Sequence, residues 1–187
     1  MEIQKVTFFG YADTKEDSQE YKDTFEAAKM LAQKGYTVVN GGGPGVMRAA
    51  SLGAKAGGGK SIGVTLYPET DDDLLLFEGR DKLNIIDEEI KTHNYLERTL
   101  TLIEQGDAFV IMNGGTGTVS EFGMAWGLAR LHYGAHKPLI LYGSWWHDIM
   151  ESFGENMHIR DEAFKVYYIV DSPKDIVDQV EEIKAQD

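Results

Sequence analysis

The stretch of this chain best suited to chemistry is Asn113-Gly114-Gly115-Thr116-Gly117-Thr118-Val119-Ser120-Glu121. It follows the apolar run Ala108–Met112 and leads into a helical pattern that begins near Thr118. A strand, a glycine turn and a helix start together present backbone N–H groups to an anion. Glu121 sits one turn into the predicted helix, beside the place a phosphorylated ligand would occupy. An anion cradle paired with a carboxylate points to chemistry on a nucleotide. The spacing also fits a second reading. Thr118-x-x-Glu121 has the form of a capping box, in which the carboxylate only bonds the start of its own helix. Spacing alone leaves both readings open.

A second glycine cluster, Asn40-Gly41-Gly42-Gly43-Pro44-Gly45, also ends a strand and opens a helix. Neither cluster fits G-x-x-x-x-G-K-[ST], and neither has the G-x-G-x-x-G spacing, so ATP-type phosphate loops and dinucleotide fingerprints are disfavoured. His132 and His136 are spaced like a metal-ligand pair on a helix, but Gly134 between them is expected to end that helix and no third ligand stands out. No metal or cofactor is expected. Gly123 and Gly127 lie one turn apart in an apolar helix, a spacing that suits a close partner or ordinary core packing.

The elements that must position these residues alternate along the chain. Strands are expected at 6–9, 36–39, 61–66, 83–86, 107–112, 138–142 and 166–170, and helices at about 16–34, 46–56, 88–105, 118–133, 145–153 and 173–184. Gly35 stands where a helix C-cap belongs, and Ser172-Pro173 supplies an N-cap and first helical residue. Residues 67–81 interrupt the rhythm and read as a surface loop or a lid. Strands alternating with helices predict a doubly wound α/β fold, a parallel sheet of six or seven strands in one Rossmann-like domain over 1–187. In such sheets ligands collect at the carboxyl ends of the strands, where the glycine clusters lie.

Composition narrows the partners. The chain has 187 residues and a net charge of −13, from 18 Lys and Arg against 31 Asp and Glu. So acidic a surface disfavours nucleic acid and anionic membranes, although a local cradle can still hold a small anion. Cysteine is absent, which removes disulfides and thiol chemistry. No apolar run approaches the roughly 20 residues of a membrane span, and no signal-peptide pattern opens the chain. A cytoplasmic protein acting on a small nucleotide ligand is the expectation.

Gly114–Glu121 resembles the P-G-G-x-G-T-x-x-E signature of the Lonely guy family, phosphoribohydrolases that release cytokinin bases from riboside 5′-monophosphates. Molybdenum-cofactor carrier proteins share that family's fold. The resemblance extends over most of the chain. Gly41–Met47 is similar to the family's G-G-G-x-x-G-L-M turn with one residue fewer, and Gly59–Val64 to the strand that follows. Arg98 precedes Asp107-Ala108-Phe109 by nine residues, as the M-x-x-R-K arginine precedes D-A-F in the family. The resemblance implies a catalytic pair of Arg98 and Glu121. It implies a phosphate site at Gly114, Gly115, Thr116, Gly117 and Thr118, with Gly42 and Gly43 lining the nucleotide site. It also implies hydrolysis of AMP or an N6-substituted AMP by a homodimer, the alternative being a carrier of a phosphorylated ligand such as the molybdenum cofactor. The chain departs from the family at Asn113 for Pro, Ser120 for the first of two glutamates, Tyr95 for Met and Thr99 for Lys, and it has Gly10-Tyr11-Ala12 where the family has Gly-Ser-Ser.

Overall fold

The computed structural model describes residues 2–67 and 80–186. Its seven strands are β1 (Lys5–Phe9), β2 (Thr37–Asn40), β3 (Ser61–Leu66), β4 (Glu88–Thr92), β5 (Ala108–Ile111), β6 (Leu139–Tyr142) and β7 (Tyr167–Val170). They form one sheet in the order β4-β3-β2-β1-β5-β6-β7, every pair parallel. The α-helices are α1 (Gln19–Gln33), α2 (Val46–Ala56), α3 (Tyr95–Gln105), α4 (Thr116–Leu131), α5 (Trp146–Asn156) and α6 (Pro173–Gln186). The architecture is the Rossmann-like α/β fold expected.

Parallel strands need crossovers, and the helices that supply them bury both faces of the sheet. On one face Val6, Phe8, Val38, Val110 and Ile140 pack under α1, α2 and α6, through residues such as Leu31, Ala50 and Ile176. On the other, Phe9, Val39, Val64, Phe109 and Ile111 pack under α3, α4 and α5, through Leu102, Phe122 and Met150 among others. The central strands β1, β2, β3 and β5 are accordingly almost uninterrupted in burial. The order reverses between β1 and β5, which pair from Val6↔Ala108 to Phe9↔Ile111. Beyond the carboxyl ends of these two strands opens the crevice where such sheets bind ligands.

Two elements differ from the sequence reading. The fourth strand is Glu88–Thr92, not 83–86, and the helix after it starts at Tyr95 rather than near 88. β4 is an edge strand, exposed at Glu88 and Lys91, half-buried at Glu89 and Ile90 and buried only at Thr92, so its charged sequence shows no apolar pattern. Leu83 and Ile85 are instead exposed, while Ile86 packs where a Cβ on Gly63 would otherwise be. The start of α3 is fixed by side-chain caps: Asn94, the N-cap, accepts through Oδ1 from Glu97 N–H at 2.9 Å, and the Glu97 carboxylate accepts from the N–H of His93, just before the cap, at 2.8 Å. The loop expected over 67–81 lies, for 68–79, outside the described residues. No described helix is long and apolar enough to cross a membrane.

Candidate functional site

A cleft of about 270 Å³ lies at the switch point. The turn after β1 contributes Gly10, Tyr11 and Ala12; the N-cap and first turn of α4 contribute Gly115, Thr116, Gly117 and Thr118. Arg98 and Tyr95 reach it from α3, Glu121 from the second turn of α4, and Met47 and Leu66 from α2 and β3. The structure thus brings Arg98 and Glu121 into one cleft with four of the five expected phosphate-site residues.

The helix start explains why Glu121 is there. α4 begins at Thr116, two residues before the sequence pattern suggests, with Gly115 as an N-cap that has no side chain to offer. Val119 N–H makes the first helical bond, to Gly115 O at 3.0 Å. Helix geometry therefore leaves the N–H groups of Thr116, Gly117 and Thr118 without an intrahelical acceptor, at the positive end of the helix dipole. Thr118 lies inside the helix and is not its cap. The capping-box reading of Thr118 and Glu121 therefore fails, and Glu121 is carried a turn deeper, only 7% exposed in the wall of the cleft.

Arg98 is held by backbone carbonyls. Its Nε donates to Val64 O and its Nη2 to Gly41 O, each at 3.1 Å. Asn94 and Glu97, the neighbours that might have bound it on its own helix, are occupied by the α3 cap. A guanidinium can make planar, multidentate contacts to phosphate or ribose oxygens, and this one is oriented before any ligand arrives. Gly41 is needed for that placement: a Cβ there would collide with Nη2.

The remaining glycines have other work. Gly42 has φ +69°; its N–H donates to Asn40 Oδ1 at 2.8 Å and its carbonyl accepts from Asp81 N–H at 3.1 Å. Gly43 O accepts from Asn84 Nδ2 at 2.8 Å. Both are buried beneath residues 81–84 and lie outside the lining of the cleft. Gly114 also lies behind the lining, close under Thr118, whose Oγ1 a Cβ at 114 would strike.

The sequence reading did not single out Tyr11, Met47, Leu66 or Tyr95 as site residues. Tyr95 had a signal, standing one turn before Arg98 on the same helix. Its hydroxyl meets that of Ser120, which in turn donates to Gly117 O at 2.8 Å. Two departures from the resembled signatures, Tyr95 and Ser120, are thus one contact joining α3 to the cradle. Elsewhere, α4 ends at Leu131, with His132 as its C-cap and Gly134 at φ +92°, so His132 and His136 do not share a helix. Among the described residues no cluster of three or more His, Cys, Asp or Glu is arranged to hold a metal ion.

Fold and site together define an α/β protein with an open, anion-attracting helix start at its switch point. The chain belongs to the SLOG cluster4 family, whose model matches residues 4–172. It is 30% identical over 161 residues to a cytokinin riboside 5′-monophosphate phosphoribohydrolase of Mycobacterium tuberculosis, an alignment covering 80% of this chain and 79% of that one. Among solved structures it is similar to the molybdenum cofactor binding protein of Rippkaea orientalis, with 21% identity and a TM-score of 0.70 over 96% of this chain and 94% of that one. It is also similar to the molybdenum cofactor carrier protein of Chlamydomonas reinhardtii, with 21% identity and a TM-score of 0.70 over 99% of each chain.

Proposed function

We propose that this chain is a nucleoside 5′-monophosphate phosphoribohydrolase, converting AMP or an N6-substituted AMP and water to the free base and ribose 5-phosphate. The observation that carries the reading is the convergence of Arg98 and Glu121, from different helices, on the cleft at the start of α4. The 5′-phosphate binds the N–H groups of Thr116, Gly117 and Thr118, and Arg98 fixes phosphate or ribose oxygens. Cleavage of the C1′–N bond leaves its electron pair on the base and develops positive charge at C1′. The Glu121 carboxylate stabilises that charge, engages the ribose hydroxyls or orients the attacking water. Binding energy from the remote phosphate holds the reacting bond in register.

A homodimer accompanies this reading. Val119, Gly123, Gly127 and Leu131 recur every four residues along α4 as an exposed stripe without charge, and a helix apolar on its outer as well as its inner face suits a partner.

The carrier reading draws support from the structural neighbours and from Ser120, which replaces one carboxylate of the resembled signature. Incubation of the protein with AMP and N6-substituted analogues, followed by chromatography, decides between the two. Free base is expected; tight nucleotide binding without base release would favour the carrier.

A further inference from the structure

The cleft lining is of two kinds. The cradle, Arg98 and Glu121 are polar, and Tyr11, Met47, Leu66 and Tyr95 are aromatic or apolar. Tyr11 is 45% exposed, yet its backbone is pinned on both sides: its N–H donates to Asn113 O at 3.0 Å and its carbonyl accepts from Val46 N–H at 3.1 Å. A fixed backbone thus presents a solvent-facing ring at the cleft mouth. That ring stands beside the cradle, its edge 3.7 Å from where a Cβ on Gly115 would lie. Tyr95 reaches the next turn residue but one, its hydroxyl 3.9 Å from the corresponding point on Gly117 and engaged by Ser120. An anion on the start of α4 therefore has Tyr11 near Gly115 and Tyr95 near Gly117, in a cleft also lined by the nearly buried Met47 and Leu66.

We propose that Tyr11 and Tyr95 form a ring-binding subsite, and that the ligand of this cleft is a phosphomonoester carrying a flat heteroaromatic ring. Aromatic faces stack such rings through dispersion and quadrupole interactions, whichever base is presented. A bare sugar phosphate satisfies the cradle but offers neither tyrosine a ring to stack on. The subsite rests on the phosphate reading of the cradle and serves a hydrolase or a carrier alike. It makes Tyr11, which stands where the resembled Gly-Ser-Ser turn has a serine, a specificity residue.

The test is calorimetric titration of AMP and of ribose 5-phosphate into wild-type protein, Tyr11→Ala and Tyr11→Phe. Wild type is expected to bind AMP at least about tenfold more tightly than ribose 5-phosphate. Tyr11→Ala should lose most of that preference while keeping its affinity for ribose 5-phosphate, and Tyr11→Phe should retain it. The large exposure of Tyr11 means that the thermal midpoint of Tyr11→Ala should stay near wild type, which controls for folding. Equal AMP affinity in wild type and Tyr11→Ala overturns the subsite. Failure of wild type to bind either compound overturns the phosphate site beneath it instead.

Discussion

The two glycine turns look alike in sequence and serve opposite ends. Gly41–Gly45 leads into α2, and Asn113–Gly117 leads into α4. Each ends a central strand and gives its helix a glycine N-cap with no capping side chain. At α2 the chain closes the helix start itself. Val46 N–H donates to Tyr11 O at 3.1 Å, and Gly45, at φ +59°, lies so close to the carbonyls of Tyr11 and Ala12 that a Cβ would strike both. At α4 nothing comparable covers the start among the described residues: a Cβ on Gly115 or Gly117 would meet only ordinary contacts at 3.7 and 3.9 Å. One turn is glycine-rich because protein packs on it. The other is glycine-rich and open, which is what a ligand's close approach requires.

Substitutions can break that contrast. The largest expected effect on stability is at Gly45→Ala, which combines a left-handed backbone with a backbone collision and should cost about 1–3 kcal/mol in chemical denaturation. A neutral result would mean that the α2 turn is as open as the α4 turn. Gly117→Ala should do the converse. Its stability should be unchanged or raised by up to about 1 kcal/mol, since alanine favours a helix, while affinity for ribose 5-phosphate falls by roughly tenfold, or about 1.4 kcal/mol. Loss of stability with intact binding would reverse the roles assigned to the two turns.

Asn94→Ala should cost about 1 kcal/mol of stability through loss of the α3 cap. It should affect ligand binding only as far as Arg98 and Tyr95 shift with the helix start, which the same titration reads.

The smallest effect lies at the far end of α4. Burial pushes the pKa of His136 below its ordinary value of 6.5, so the folded state holds its proton less tightly than the unfolded state. The associated stability is present above about pH 6.5 and is lost as pH falls below it. His136→Gln should flatten the decline of the urea midpoint between pH 7 and pH 5, with ligand affinity unaltered. Parallel curves for the two proteins would remove His136 from the acid side of the profile.

Much of this was legible in the sequence. The alternation of apolar strands and amphipathic helices gave the doubly wound sheet, and the glycines marked the ends of its central strands. Misreadings arose where two meanings share one spacing. Asn94-x-x-Glu97 and Thr118-x-x-Glu121 carry the same pattern, yet the first caps its helix and the second does not. The difference lies in where the helix begins, which the packing of the turn decides and periodicity does not. β4 was hidden because an edge strand exposed or half-buried at four of its five residues needs few apolar side chains. Tyr11 was passed over because an exposed aromatic is ordinary on its own, and its anchoring depends on carbonyl and amide partners far along the chain.

The central claim is that the open start of α4 delivers Glu121 to a bound nucleotide. The measurement that tests it most directly compares wild-type protein with Glu121→Gln, reading AMP affinity by titration and base release in a single turnover. The account predicts that the variant binds AMP within a few-fold of wild type and releases base about 10²–10⁴-fold more slowly. Base release at the wild-type rate in Glu121→Gln would contradict it.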